Sequence, residues 1–223
     1  MYRIAVVCTG NICRSPMAEL ALERELDRAG LASSVEVDSG GISDEEHGNP
    51  VDPRAARVLE REGLDPSGHS ARQVTPQWFQ DHDLLLAMTP EHARALRAMA
   101  PEGAQDRVRL YRSFDPQAAD LPESEQGVAD PWYGGAEGFE STWEMVVDAL
   151  PGIVEHAANR QGPEACRTSS CTWTPRSPSA TPRASPSCIS SPSRSTGPTS
   201  SGSTGAPGRA RPRWPGSSRR CCP

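Results

Sequence analysis

The sequence predicts an α/β protein built on a single four-stranded parallel sheet with helices on both faces. Three observations carry that reading. Four short aliphatic runs, at residues 3–7, 35–39, 84–88 and 108–111, recur along the chain. Stretches of helical periodicity separate them, and strand alternating with helix is the pattern of a parallel sheet with crossover connections. Residues 3–7 and 84–88 are apolar almost throughout rather than at every second position, as in strands buried on both faces.

Arg3–Val7 is the first strand, and it stops at the loop signal Cys8-Thr9-Gly10-Asn11. Pro16, after Ser15, suits the first turn of a helix. Met17, Leu20, Ala21 and Leu26 continue that helix as a stripe down to Gly30. Val35–Ser39 is the second strand. Asp52–Glu62 reads as a helix with Ala55, Val58 and Leu59 on one face and Gly63 as its stop. Thr75-Pro76 opens a short helix, and Leu84–Met88 is the third strand. Pro90 opens a helix that ends near Ala100-Pro101, and Val108–Tyr111 is the fourth strand. A loop from Asp115 to Gly135 leads to a closing helix, Phe139–Arg160, with a bend expected at Pro151. In such sheets ligands bind at the carboxyl ends of the strands. Cys8 and the loop after the last strand both lie there.

Composition divides the chain at Gly162. Residues 1–162 read as the folded domain. Residues 163–223 are Ser, Pro, Thr, Arg and Gly with no hydrophobic period, the composition of a disordered tail. Nine of the 23 strong bases, all arginine, and only one of the 29 acids, Glu164, lie in that tail. The domain therefore carries 14 bases against 28 acids. The tail has two readings: a natural extension, or a shifted frame in a GC-rich gene, whose out-of-frame codons give Arg, Pro, Ser and Gly. Cys166, Cys171, Cys188, Cys221 and Cys222 fall in it without metal-ligand spacing.

An acidic domain argues against a nucleic-acid partner. No apolar run reaches the roughly 18 residues that span a bilayer, so no membrane is implied. The N-terminus runs straight into an apolar segment with no cleavage site, unlike a signal peptide. Cys8 and Cys13 read as free thiols rather than a secreted disulfide framework. The expected compartment is cytoplasmic.

The chemistry concentrates in Cys8-Thr9-Gly10-Asn11-Ile12-Cys13-Arg14-Ser15-Pro16. A loop feeding a helix N-terminus offers backbone N–H groups and the positive end of a dipole to a phosphate. Gly10 lets the backbone curl close to the anion. Arg14 adds a planar fork able to grip two oxygens. The same field favours the Cys8 thiolate, and Ser15 can donate a hydrogen bond to it. Nucleophile, cradle and clamp for a phosphate monoester thus share one loop.

This stretch resembles the N-terminal signature of the low-molecular-weight protein tyrosine phosphatases. The likeness continues through Asp38-Ser39-Gly40, Asp52-Pro53-Arg54-Ala55, His69-Ser70-Ala71-Arg72-Gln73, Ser113-Phe114-Asp115-Pro116 and Asp130-Pro131-Trp132-Tyr133-Gly134. It implies a flavodoxin-like, phosphotyrosine phosphatase I-like fold and no cofactor or metal. It also implies hydrolysis of phosphotyrosine in protein substrates through a cysteinyl-phosphate. Cys8, Arg14 and Asp130 would be catalytic, with Asp130 the acid that protonates the leaving phenolate. Thr9, Gly10, Asn11, Ile12, Cys13 and Ser15 would cradle the phosphate. Trp132 and Tyr133 would wall the cleft, and His69 would orient the loop with Asn11 and Ser39. Arg72 and Asp52 read as structural. Cys13 has two readings: a packing residue, or a thiol that captures oxidised Cys8 as a disulfide.

The stretch Ser43-Asp44-Glu45-Glu46-His47-Gly48 lacks the aromatic that often forms the family's second cleft wall, and its acids would disfavour acidic peptide flanks. The alternative activities on this fold are a small-thiol-dependent arsenate reductase and a protein-arginine phosphatase. A thioredoxin-coupled reductase needs cysteines after the third strand, where Leu84–Pro90 has none. Arginine phosphatases carry Thr at the place of Ile12. A silent phosphotyrosine-binding module would not need Cys8, Arg14 and Asp130 together.

Overall fold

A computed structural model describes residues 1–160. The tail at 163–223, with its expected disorder and its five cysteines, lies outside the described residues. Four parallel strands form one sheet in the order β2-β1-β3-β4. They are β1 (Tyr2–Cys8), β2 (Val35–Gly41), β3 (Leu84–Ala87) and β4 (Val108–Leu110). The helices are α1 (Arg14–Arg28), α2 (Pro53–Arg61), α3 (Trp78–Asp81), α4 (Pro90–Met99) and α5 (Ala136–Arg160).

Successive strand side chains point to opposite faces, and this sheet buries both. Ile4, Val6, Cys8, Leu84 and Leu86 pack with Met17, Leu22, Leu59, Val146 and Ile153 on the face covered by α1, α2 and α5. Ala5, Val7, Leu85 and Ala87 pack with Phe79, Ala93 and Leu96 on the face covered by α3 and α4. That is why the central runs are apolar at nearly every position.

Element ends differ from the sequence reading, most visibly at β2, β4, the long loop and α5. β2 continues past Ser39 through Gly40 to Gly41, where Gly-Gly reads as a break. A Cβ on Gly41 would lie 2.7 Å from the Thr9 carbonyl oxygen, and one on Gly40 2.6 Å from Val74 Cγ2. Glycine here permits close packing within the sheet. β4 stops at Leu110, and Tyr111–Phe114 is a 3-10 turn that buries the Tyr111 ring completely. Another 3-10 turn, Glu123–Glu125, interrupts the long loop. Finally, α5 begins at Ala136 and runs through Pro151 without a break. Buried Val146, Ala149, Leu150 and Ile153 hold it on both sides of the proline. Gly152 fits because a Cβ there would meet the Phe114 carbonyl oxygen at 2.3 Å.

β1 and β2 end beside the functional loop and fix where it starts. The Ile42 N–H donates to the Cys8 carbonyl at 3.0 Å and the Ser43 N–H to the Thr9 carbonyl at 2.9 Å.

Candidate active site

The segment from Cys8 to Arg14 leaves the central strand and turns directly into α1. Asn11 has φ of 60°, the left-handed region that favours glycine and, among other residues, asparagine. The fully buried Asn11 side chain holds the turn. Its Nδ2 donates to Ser15 Oγ at 2.9 Å and Ser39 Oγ at 2.8 Å. Its Oδ1 accepts the Arg72 N–H at 3.0 Å. His69 Nε2 lies 2.6 Å from the Asn11 carbonyl oxygen, so the ring donates there. The predicted supports Ser39, His69 and Asn11 thus come together under the loop. Glu19 joins them, accepting from Ser39 Oγ at 2.6 Å.

Cys8 is 2% exposed, with its Sγ 3.1 Å from Ser15 Oγ. No side chain caps α1, which leaves its first-turn N–H groups for an anion. Arg14 is buried, and its Nη2 donates to Asp130 Oδ2 at 2.6 Å and to Thr9 Oγ1 at 3.2 Å. Arg14 Nε is buried without a hydrogen-bond partner among the described residues. An unpaired buried cationic donor is costly. It fits a site that receives an anion's oxygen.

Above Cys8 opens a cleft of about 220 Å³ lined by Thr9, Gly10, Ile12, Cys13, Arg14, Glu45, Glu46, Asp130, Trp132 and Tyr133. The structure therefore gathers every cradle and wall residue expected from sequence except Asn11 and Ser15, which brace the loop from below. Trp132 is 44% exposed and Tyr133 93%. Glu46 closes the opposite wall, with its Cγ where a side chain on Gly10 would clash at 2.8 Å. Burial, aided by the nearby Asp52 charge, pushes the Cys13 thiol up to about 12. The thiol also belongs to the core packed on α1 and α2.

The Asp130 loop is tied down at several points. The Val128 N–H donates to the Met88 carbonyl at 2.7 Å, and Thr142 Oγ1 to the Ala129 carbonyl at 3.2 Å. Asp130 Oδ1 accepts the Trp132 N–H at 3.1 Å. The sequence did not mark Arg54 as functional. Asp52, the N-cap of α2, grips its guanidinium, which donates to the carbonyls of Trp132 at 3.3 Å and Gly134 at 3.2 Å. It also lies over the Trp132 and Phe139 rings. Only the Asp-Pro-Arg run at the start of α2 hinted at it. Among the described residues no group of three or more His, Cys, Asp or Glu could hold a metal ion.

Residues 3–162 match the family model described as low molecular weight phosphotyrosine protein phosphatase. The chain belongs to the low molecular weight phosphotyrosine protein phosphatase family. This phosphatase matches nearly the whole length of the proteins named next. It is 45% identical over 154 residues to the low molecular weight protein-tyrosine-phosphatase of Streptomyces coelicolor, covering 69% of this chain and 92% of that one. It is 41% identical over 163 residues to low molecular weight protein-tyrosine phosphatase A of Mycobacterium tuberculosis, covering 72% and 96%. Among solved structures, the phosphatase resembles YfkJ of Bacillus subtilis with a TM-score of 0.65 at 30% identity, over 72% of this chain and 97% of that one.

Proposed function

We propose that this phosphatase hydrolyses phosphotyrosine in protein substrates in two steps through a cysteinyl-phosphate on Cys8. The observation that carries the reading is the cleft that Cys8, Arg14 and Asp130 line together, with Arg14 Nε buried and without a partner among the described residues. In the first step the Cys8 thiolate attacks phosphorus. The bond from phosphorus to the phenolic oxygen breaks, and Asp130 gives its proton to that oxygen. In the second step the Asp130 carboxylate takes a proton from water, whose oxygen attacks phosphorus. The sulfur–phosphorus bond then breaks, releasing inorganic phosphate and a thiolate that accepts a hydrogen bond from Ser15. Arg14 and the loop N–H groups hold the equatorial oxygens throughout.

Trp132 and Tyr133 supply the aromatic face for the substrate ring. Glu45 and Glu46 on the opposite wall disfavour acidic flanks and leave room for basic ones. The catalytic domain is residues 1–162, the tail is dispensable for turnover, and the compartment is cytoplasmic. No helix among the described residues is long and apolar enough to cross a membrane.

Cys8→Ser tests the assignment. It keeps the cradle and removes the thiolate, so turnover of a phosphotyrosine peptide should fall below detection while inorganic phosphate still binds. Near-normal turnover in that variant would exclude Cys8 as nucleophile.

A further inference from the structure

Beside the phosphate loop, a histidine makes contacts that the mechanism does not use. His92 lies in the first turn of α4 and is 8% exposed. Its Nε2 is 3.0 Å from Thr9 Oγ1 in the phosphate loop, 83 residues earlier. Its Nδ1 is 3.2 Å from Oγ1 of Thr89, the N-cap of α4. Thr9 Oγ1 is also the atom that accepts from Arg14 Nη2 at 3.2 Å. Thr89 Oγ1 also accepts the His92 backbone N–H at 3.4 Å.

These contacts form one line: Arg14, Thr9, His92, Thr89. A guanidinium can only donate, and the Thr89 oxygen already accepts the His92 backbone N–H as the helix cap. In the tautomer that also donates Nδ1–H to the Thr89 oxygen, the Nε2 of a neutral ring carries the lone pair and takes the Thr9 hydroxyl proton. The Thr9 oxygen is left facing Arg14. A protonated ring would donate at both nitrogens, and the Thr9 proton would lose its fixed direction. Burial, helped by the Arg14 charge and opposed by Glu91 and Asp130, lowers His92 to about 4, so the ring is neutral near pH 7.

We propose that His92 is a positioning residue that turns the Thr9 hydroxyl oxygen onto Arg14 and so holds the guanidinium ready for phosphate. The proposal rests on the phosphatase reading above. The consequence is two acceptors on one Arg14 nitrogen, Asp130 Oδ2 and the Thr9 hydroxyl that His92 orients, both at Nη2.

The test uses the full chain and compares His92→Gln, His92→Asn, His92→Leu and Thr9→Val, each alone, and His92→Leu combined with Thr9→Val. The readouts are kcat, KM and the affinity for inorganic phosphate. A glutamine carbonyl reaches the place of Nε2 and accepts from Thr9. An asparagine reaches only the place of Nδ1 and keeps the contact with Thr89. His92→Asn and His92→Leu should each weaken phosphate binding and kcat/KM by about tenfold, the scale of one hydrogen bond on a charged network. His92→Gln should stay within about threefold. In a Thr9→Val background, His92→Leu should add less than about twofold, because its partner is gone.

Equal behaviour of the Gln and Asn variants would reduce His92 to a cap on α4 and overturn the proposal. So would full additivity of the Thr9 and His92 changes. If the Leu variant fails to fold, the Gln–Asn comparison decides alone. A wild-type chain that binds phosphate but hydrolyses nothing would overturn the phosphatase reading instead, and the phosphate affinities would still judge His92.

Discussion

Asp130→Asn separates the general-acid role proposed for this side chain from its ion pair with Arg14. Asp130 Oδ2 sits 2.6 Å from Arg14 Nη2, with the Arg14 side chain 4% exposed and that of Asp130 41%. As an acid it would protonate the leaving oxygen. As an anion it occupies part of the guanidinium that an incoming phosphate needs. Losing the acid should cost about 10² to 10⁴ in kcat when the leaving group is a weakly acidic phenol. A nitrophenolate departs with little help and should lose no more than about tenfold. The competition works the other way. A half-exposed ion pair is worth on the order of 1 kcal/mol, which converts to about fivefold in affinity. Asparagine keeps the shape and drops the charge, so inorganic phosphate should bind about fivefold tighter than to wild type. The assay is a series of substituted phenyl phosphates, followed by competition with phosphate. Equal losses for all leaving groups would remove Asp130 as general acid. Weaker phosphate binding would show that the Arg14–Asp130 pair supports the anion site rather than competing with it.

Three further outcomes are expected. Arg54→Met removes the donors to the Trp132 and Gly134 carbonyls and should lower kcat roughly tenfold by loosening the Asp130 loop; an unchanged kcat on poor leaving groups would show that the loop holds itself. Cys13, with its thiol pushed up to about 12, stays protonated across the neutral range, because a raised pKa keeps the proton until the pH approaches that value. Iodoacetamide at pH 7 should therefore label Cys8 well ahead of Cys13 by peptide mapping, and equal labelling would refute the protonated state. Truncation after Gly162 should leave kcat/KM and Tm within error of the full chain; a fall of several degrees in Tm would move the domain boundary into the tail.

The fold and the phosphate loop were legible in sequence because their signals are local. Cys8 to Pro16 is nine consecutive residues whose geometry follows from one strand end, one glycine and one helix start. The continuous runs at residues 3–7 and 84–88 announce a sheet covered twice. Asp130 was legible only through family resemblance, since an Asp before Pro in a loop is ordinary turn chemistry. Arg54 and His92 act across 78 and 83 residues of sequence, and nothing in a helix's first turn says which loop it will face. The end of β2 was misread for a related reason. Gly40-Gly41 looks like a break until the crowding by Val74 and the Thr9 carbonyl shows why no side chain fits.

The left-handed Asn11 has a consequence for how the enzyme meets its ligands. Two serines, a histidine and the Arg72 N–H hold that residue in its turn from within the protein, with Glu19 behind one of the serines. The shape of the cradle is thus settled when the chain folds, once in the molecule's lifetime rather than once per catalytic cycle. A ligand arriving at such a surface has little ordering left to impose. Phosphate, vanadate and a phosphotyrosine peptide should therefore leave the backbone conformation of residues 9–13 unchanged between free and bound crystal structures, with any rearrangement confined to the rim around Trp132 and Tyr133.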